Sequence, residues 1–147
     1  MSANRWARRR ARRALVQAVY QWQMAGSTSQ EIEDEFHANG SLDKADGDFF
    51  QELLRGVLLN CASLDEHLAA VLDRPLNELS KVELAVLRLG VRELESRQDV
   101  PYRVVITEYV ELAKLFGAEE GHKYVNGVLD KVARSLRAVE VAGRERV

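Results

Sequence analysis

The chain's 147 residues suit a single domain, and an apolar content of 46% belongs to a chain that buries a core, not to a disordered one. Two prolines and nine glycines give little of the punctuation an all-β fold needs; the single cysteine, Cys61, excludes an internal disulfide and fits a reducing cytoplasm; no apolar run is long enough for a membrane span. The net charge of −2 hides a segregation: residues 5–13 hold six of the 21 basic residues, no acid precedes Glu31, and the other 15 face 23 acids, a net of −8.

The first helix is expected from about Ala7 to Met24, stopped by Gly26. At 100° per residue, Arg5, Arg8, Arg9, Arg12 and Arg13 fall within an arc of about 140°. Ala11, Leu15, Ala18, Val19 and Trp22 share another arc, centred about 120° away. One helix then carries a guanidinium stripe beside an apolar stripe. Cations in a first turn oppose the helix dipole by about 0.3–1 kcal/mol each, so the cluster asks for an anion. A solvated basic face is the plainer reading. A transit peptide is also Arg-rich, but it should be Ser-rich, and here the apolar stripe runs on into Trp22 and Met24. Gln17, Gln21 and Gln23 interrupt any signal-peptide core.

Thr28 with Glu31, or Ser29 beside it, can cap a short second helix through Phe36 that ends near Asn39-Gly40. After a polar connector, Asp43 to Gly47, the residues Phe49, Phe50, Leu53, Leu54, Val57 and Leu58 predict a third helix over Asp48–Asn60. Leu64, Leu68, Val71 and Leu72 continue the period as a further helix or a bent extension, until Pro75 interrupts. Ser80 and Glu83 form a capping box before Val82–Leu94, a run apolar around most of its circumference and therefore placed at the centre of the fold. Val100-Pro101 opens the next helix, with Val105, Tyr109, Leu112 and Phe116 as its stripe and Gly117 as its stop. The last helix is expected to start at Glu119 or Glu120, whose carboxylates suit the positive end of the dipole, with Val125, Leu129, Val132 and Leu136 as its core face. The whole reads as all-α: two small helical bundles, subdomains of roughly residues 1–75 and 76–147 joined near Asp73–Asn77, packed as one domain of residues 1–147.

Little in the chain asks for catalysis. His37, His67 and His122 lie far apart, without metal-ligand spacing. Cys61 reads as a small core residue, and the glycines at 117, 121 and 127 match no phosphate-binding loop. Gly127 sits mid-helix at a cost of about 1 kcal/mol relative to alanine; close helix packing is the simpler reason, approach by a ligand the sharper one. Around it, His122, Lys123, Tyr124, Asn126 and Lys131 combine cations, an aromatic and an amide, a mix suited to single-stranded RNA and also to an ordinary solvated face. A helical adaptor that dimerises through acidic faces is the competing class. No catalytic residue, metal or cofactor is expected.

The segment Arg8-Arg9-Arg10-Ala11-Arg12, leading into Ala18-Val19-Tyr20-Gln21-Trp22-Gln23, resembles the N-terminus of the NusB family of bacterial transcription antitermination proteins. So do Val82–Leu89, Asp99–Glu108, Glu111–Gly117 and His122–Lys131, blocks that together span nearly the whole chain. The resemblance implies an all-helical fold of two subdomains and pairing with NusE, a protein of the small ribosomal subunit. That pair would bind the boxA element of nascent, chiefly ribosomal, RNA and join an antitermination complex on RNA polymerase. A cytoplasmic location, and a homodimer when the partner is absent, belong to the same expectation. The family's RNA-binding residues map onto Arg8, Arg9, Arg10, Arg12 and Arg13, completed by Tyr20 and by Lys123, Tyr124 and Lys131 on the last helix face. The chain departs from many relatives in Glu120-Gly121, where Asp-Ser is frequent, and in Tyr124, where many have Phe. The same fold is fused to some RNA methyltransferases, and no such catalytic segment is expected here.

Overall fold

Both predicted capping boxes form. The Thr28 hydroxyl accepts from the Glu31 N–H at 3.1 Å while the Glu31 carboxylate accepts from the Thr28 N–H at 2.9 Å. That backbone bond, with the hydroxyl, holds the Glu31 carboxyl below its ordinary range. Ser80 and Glu83 repeat the exchange at 3.0 and 3.4 Å. The computed structural model describes residues 2–145, and the side chains of residues 4–144. Its α-helices are α1 (Ser2–Ala25), α2 (Ser29–Ala38), α3 (Gly47–Leu59), α4 (Cys61–Ala69), α5 (Lys81–Ser96), α6 (Tyr102–Phe116), α7 (Gly121–Leu136) and α8 (Ala138–Glu145), with a 3-10 turn at Leu76–Glu78. No strand occurs among the described residues, so the all-α expectation holds.

Contacts gather into two compact units that divide between Asn60 and Cys61. The Asp73–Asn77 connection lies within the second unit, just before and across the 3-10 turn.

In the first unit, α1 and α2 both pack on α3. Ala11, Leu15, Ala18 and Val19 are fully buried, as the apolar arc predicts, against a core that includes Phe49, Phe50, Leu53 and Leu54 of α3. Phe36 of α2 stacks on Phe50 with ring centroids 5.7 Å apart. Arg55 grips the buried Glu33 with two bonds, at 2.9 and 3.1 Å, and Gln51 donates a third. Burial alone would raise the Glu33 carboxyl; Arg55 and Gln51 outweigh it and hold the group below its ordinary range. Gly26 ends α1 with φ +71°, its N–H bonded to Trp22 O at 2.8 Å, a left-handed stop of the kind glycine allows.

In the second unit, α5 is the central helix, packed against α4, α6 and α7. Leu84–Leu87, Leu89, Val91 and Leu94 are all buried, which its all-round apolar pattern required. Gly90 permits the approach of α7: a Cβ there would lie 2.8 Å from Leu129 Cδ2. Arg137 is buried and closes this core. It donates to Leu94 O at 2.7 Å, Val100 O at 2.9 Å and Arg97 O at 2.8 Å, and pairs with Glu140 at 2.7 Å. Glu140 in turn accepts from the Tyr102 N–H at 2.9 Å, so one ion pair caps the end of α5 and the start of α6.

Three expectations are corrected. Helix α1 starts at Ser2, not Ala7, so most of the arginines lie beyond the first turn, where the dipole penalty fades. Neither carboxylate of Glu119-Glu120 caps α7 by a hydrogen bond; Glu120 pairs with Lys123 at 3.0 Å instead. Cys61 is half-buried, not core, with Sγ 3.8 Å from Asp65, and burial raises its thiol despite the nearby Arg88.

Candidate nucleic-acid interface

The arginines of α1 part into two sets. Arg12 is 3% exposed and Arg8 is half-buried. Both guanidinium carbons lie 5.0 Å from the ring centroid of Phe49, and Arg8 also reaches Asp46 at 3.7 Å. The single exposed stripe expected from Arg5 to Arg13 is therefore divided: Arg8 and Arg12, at i and i+4, sit on the α3 side of the helix.

Arg5, Arg9, Arg10 and Arg13 are exposed. Positions 6, 10, 13, 17, 20 and 24 follow one another at helical spacing of three or four, and all are exposed: Trp6, Arg10, Arg13, Gln17, Tyr20 and Met24. Three of these are large apolar side chains left to solvent, Trp6 at 51%, Tyr20 at 39% and Met24 at 58%. Arg9 lies 5.0 Å over the Trp6 ring. This face offers planar groups for stacking and guanidinium groups for phosphate, side by side. Sequence reading missed Trp6, although its place three residues before Arg9 on one helix was the available signal.

On the second unit, Tyr124 is half-buried and fixed by two neighbours from the 70s. Its hydroxyl donates to Asp73 Oδ1 at 3.0 Å, and Arg74 lies 4.5 Å over its ring. Burial and the bond to Asp73 raise the phenol. Arg74, bonded to Asp73 at 3.0 Å, and Tyr124 hold that carboxyl below its ordinary range. Tyr124 thus carries a guanidinium on one ring face, and its hydroxyl anchors the ring to Asp73. Asp73 and Arg74 carried no local signal, since 51 residues separate Asp73 from Tyr124.

Lys123, Asn126, Gly127 and Lys131 are exposed on α7, and His122 Nδ1 bonds Glu119 O at 3.2 Å. Gly127 is not a packing glycine, since a Cβ there would meet nothing within 4 Å. No group of His, Cys, Asp and Glu able to hold a metal occurs among the described residues. No described helix is long and apolar enough to cross a membrane.

Arginine and aromatic side chains gathered on exposed helix faces are the groups that phosphate and unpaired bases take up. The NusB family model matches residues 9–134, and the chain belongs to that family. The transcription antitermination protein NusB of Alcanivorax borkumensis is 58% identical over 138 residues, 94% of this chain and 92% of that relative. Its counterpart from Shewanella amazonensis is 56% identical over 87% of this chain and 96% of the relative. Among solved structures, T. maritima NusB matches with a TM-score of 0.75 at 32% identity, over 86% of this chain and 89% of that one. A chain of the crystal structure of antitermination factors NusB and NusE in complex with dsRNA matches with a TM-score of 0.79 at 25% identity, over 86% and 96%.

Proposed function

We propose that the protein is the RNA-binding half of a heterodimer with NusE, that the pair holds boxA RNA of nascent ribosomal transcripts, and that it joins the antitermination complex on RNA polymerase in the cytoplasm without catalysing a reaction. The exposed face of α1 carries this reading, with Arg9, Arg10, Arg13 and Tyr20 placed beside Trp6. Arginines supply phosphate affinity that ignores sequence, and the aromatics supply stacking for unpaired bases. Lys123, Tyr124 and Lys131 give the second unit its own RNA-facing surface. Arg8 and Arg12 act as positioning residues, holding α1 on Phe49 so that their neighbours face outward. The solved NusB–NusE–dsRNA complex among the structural relatives supports both partners. The acidic remainder of the chain, at −8, also suits a basic ribosomal protein.

The test is to mix the purified protein with NusE and a boxA oligonucleotide. A one-to-one complex that comigrates and holds the RNA more tightly than either protein alone is expected. Independent migration at micromolar concentration, with no gain in RNA affinity, overturns the heterodimer.

A further inference from the structure

Gly127 stands in the middle of a 16-residue helix, exposed, with φ in the ordinary helical range, and beyond its chain neighbours and its own helix backbone nothing lies within 4 Å of where a Cβ would be. None of the usual reasons for glycine applies. The close approaches of α5 and α7 are made at Gly90, against Leu129, and at Gly121, against Glu83. Alanine would be the better helix residue at 127, and the chain forgoes it.

The neighbours of position 127 on a helix surface are positions 123, 124, 130 and 131. These are Lys123, Tyr124, Asp130 and Lys131, so the missing side chain leaves a notch ringed by two lysines and an aromatic. Asp130 is met by Arg134 at 3.4 Å, which tempers the one acidic edge. Lys131 has no ion-pair partner among the described residues, and the Asn126 amide beside the notch has no hydrogen bond among them. The Tyr124 ring is held in place by Asp73 and Arg74, so this wall of the notch is set in advance of any ligand.

We propose that Gly127 is a contact in its own right: a notch in α7 that admits the sugar–phosphate of one RNA nucleotide against the helix backbone, with its base directed to the Tyr124 ring and its phosphate to Lys131. The inference deepens the RNA-binding reading and rests on it. The notch is shaped for a chain with a bare backbone and regularly spaced anions. It makes position 127 a specificity determinant by shape, since any side chain there occupies the nucleotide's place.

The test compares Gly127→Ala and Gly127→Gln with the wild type, reading thermal unfolding and affinity for a single-stranded boxA oligonucleotide across a salt titration. Arg10→Ala/Arg13→Ala serves as the reference for RNA binding as such. Either substitution at 127 should hold or raise Tm, by about 2–4 °C. RNA affinity should fall at least threefold with alanine and more than tenfold with glutamine. The slope of log affinity against log salt should flatten by no more than about 0.7, the one phosphate contact at Lys131 that the displaced nucleotide loses. If the double arginine variant weakens binding while both 127 variants stay within twofold of wild type, the notch is not used and the inference falls alone. If Tm and affinity fall together, the glycine is structural and the inference falls. If RNA affinity is unchanged but pairing with NusE weakens, the notch belongs to a protein partner, which also overturns the assignment. If the wild type binds no RNA at any salt, the functional reading itself fails.

Discussion

Arg12 and Arg13 are adjacent in sequence and opposite in role. Arg12 is buried over Phe49, while Arg13 is exposed with the outward stripe. Composition could place an arginine cluster on this helix, but not separate its members, because the separation depends on where α3 lies. The apolar arc pointed the right way: Arg12 lies on the side of the basic arc that meets the apolar one, the place where a long side chain can bury its stem and lay its head on a ring. Arg12→Ala should therefore cost about 1–3 kcal/mol, through lost packing and a lost desolvated cation–π contact. Arg13→Ala should leave stability within about 0.5 kcal/mol of wild type. Urea denaturation of the two variants checks the order, and a larger loss for Arg13→Ala contradicts it.

At the scale of elements, local signals are legible where both partners are close in sequence. The capping boxes at Thr28 and Ser80, the glycine stop at Gly26 and the all-round apolar run of α5 each formed as expected. Gly117 also stops its helix, but its φ of −97° is ordinary; a Cβ would lie 2.8 Å from Ala113 O, so space and not handedness demands glycine. Helix α8 was not foreseen, because what anchors it is nonlocal: Glu140 reaches Tyr102, 38 residues back, and Arg137 reaches carbonyls 37 to 43 residues back. Arg137→Ala leaves those carbonyls without their donor and Glu140 with the Tyr102 N–H alone, and should cost about 3–5 kcal/mol, read as a lowered urea midpoint. A loss under about 1 kcal/mol contradicts the clasp. Acid should act on the same contact. Burial alone would raise the Glu140 carboxyl, but the Tyr102 N–H and Arg137 hold it below the ordinary range, as Arg55 and Gln51 hold Glu33. A lowered folded pKa gives stability that is present above the unfolded value, about 4.3, and lost as pH falls through the folded one. The urea midpoint should thus fall with pH below about 4.5, and less steeply in the Arg137→Ala variant. Equal pH dependence in the two proteins contradicts this origin.

At the scale of the whole molecule, a body of net charge −8 carries six arginines in its first helix, and that segregation is plain from the order of residues alone. Family membership and the all-α class were legible for the same reason: they rest on runs of residues, not on distant contacts. The surface itself was legible only in part. Tyr20, Arg9, Arg10 and Arg13 stand on the exposed face with Trp6, whose helical spacing from Arg9 was the signal, Arg8 and Arg12 do not, and Asp73 and Arg74 meet Tyr124 only through the folding of distant segments. The central claim is that the outward arginines of α1 carry RNA phosphate contacts while their inward neighbours carry the fold. Its most direct test is the affinity of boxA RNA as a function of salt, for wild type and Arg10→Ala/Arg13→Ala. Each single-strand phosphate contact contributes about 0.7 to the slope of log affinity against log salt, so the double variant should be flatter by about 1.4 and weaker at low salt, with its urea midpoint unchanged. Unchanged affinity and slope in a folded double variant would contradict the account.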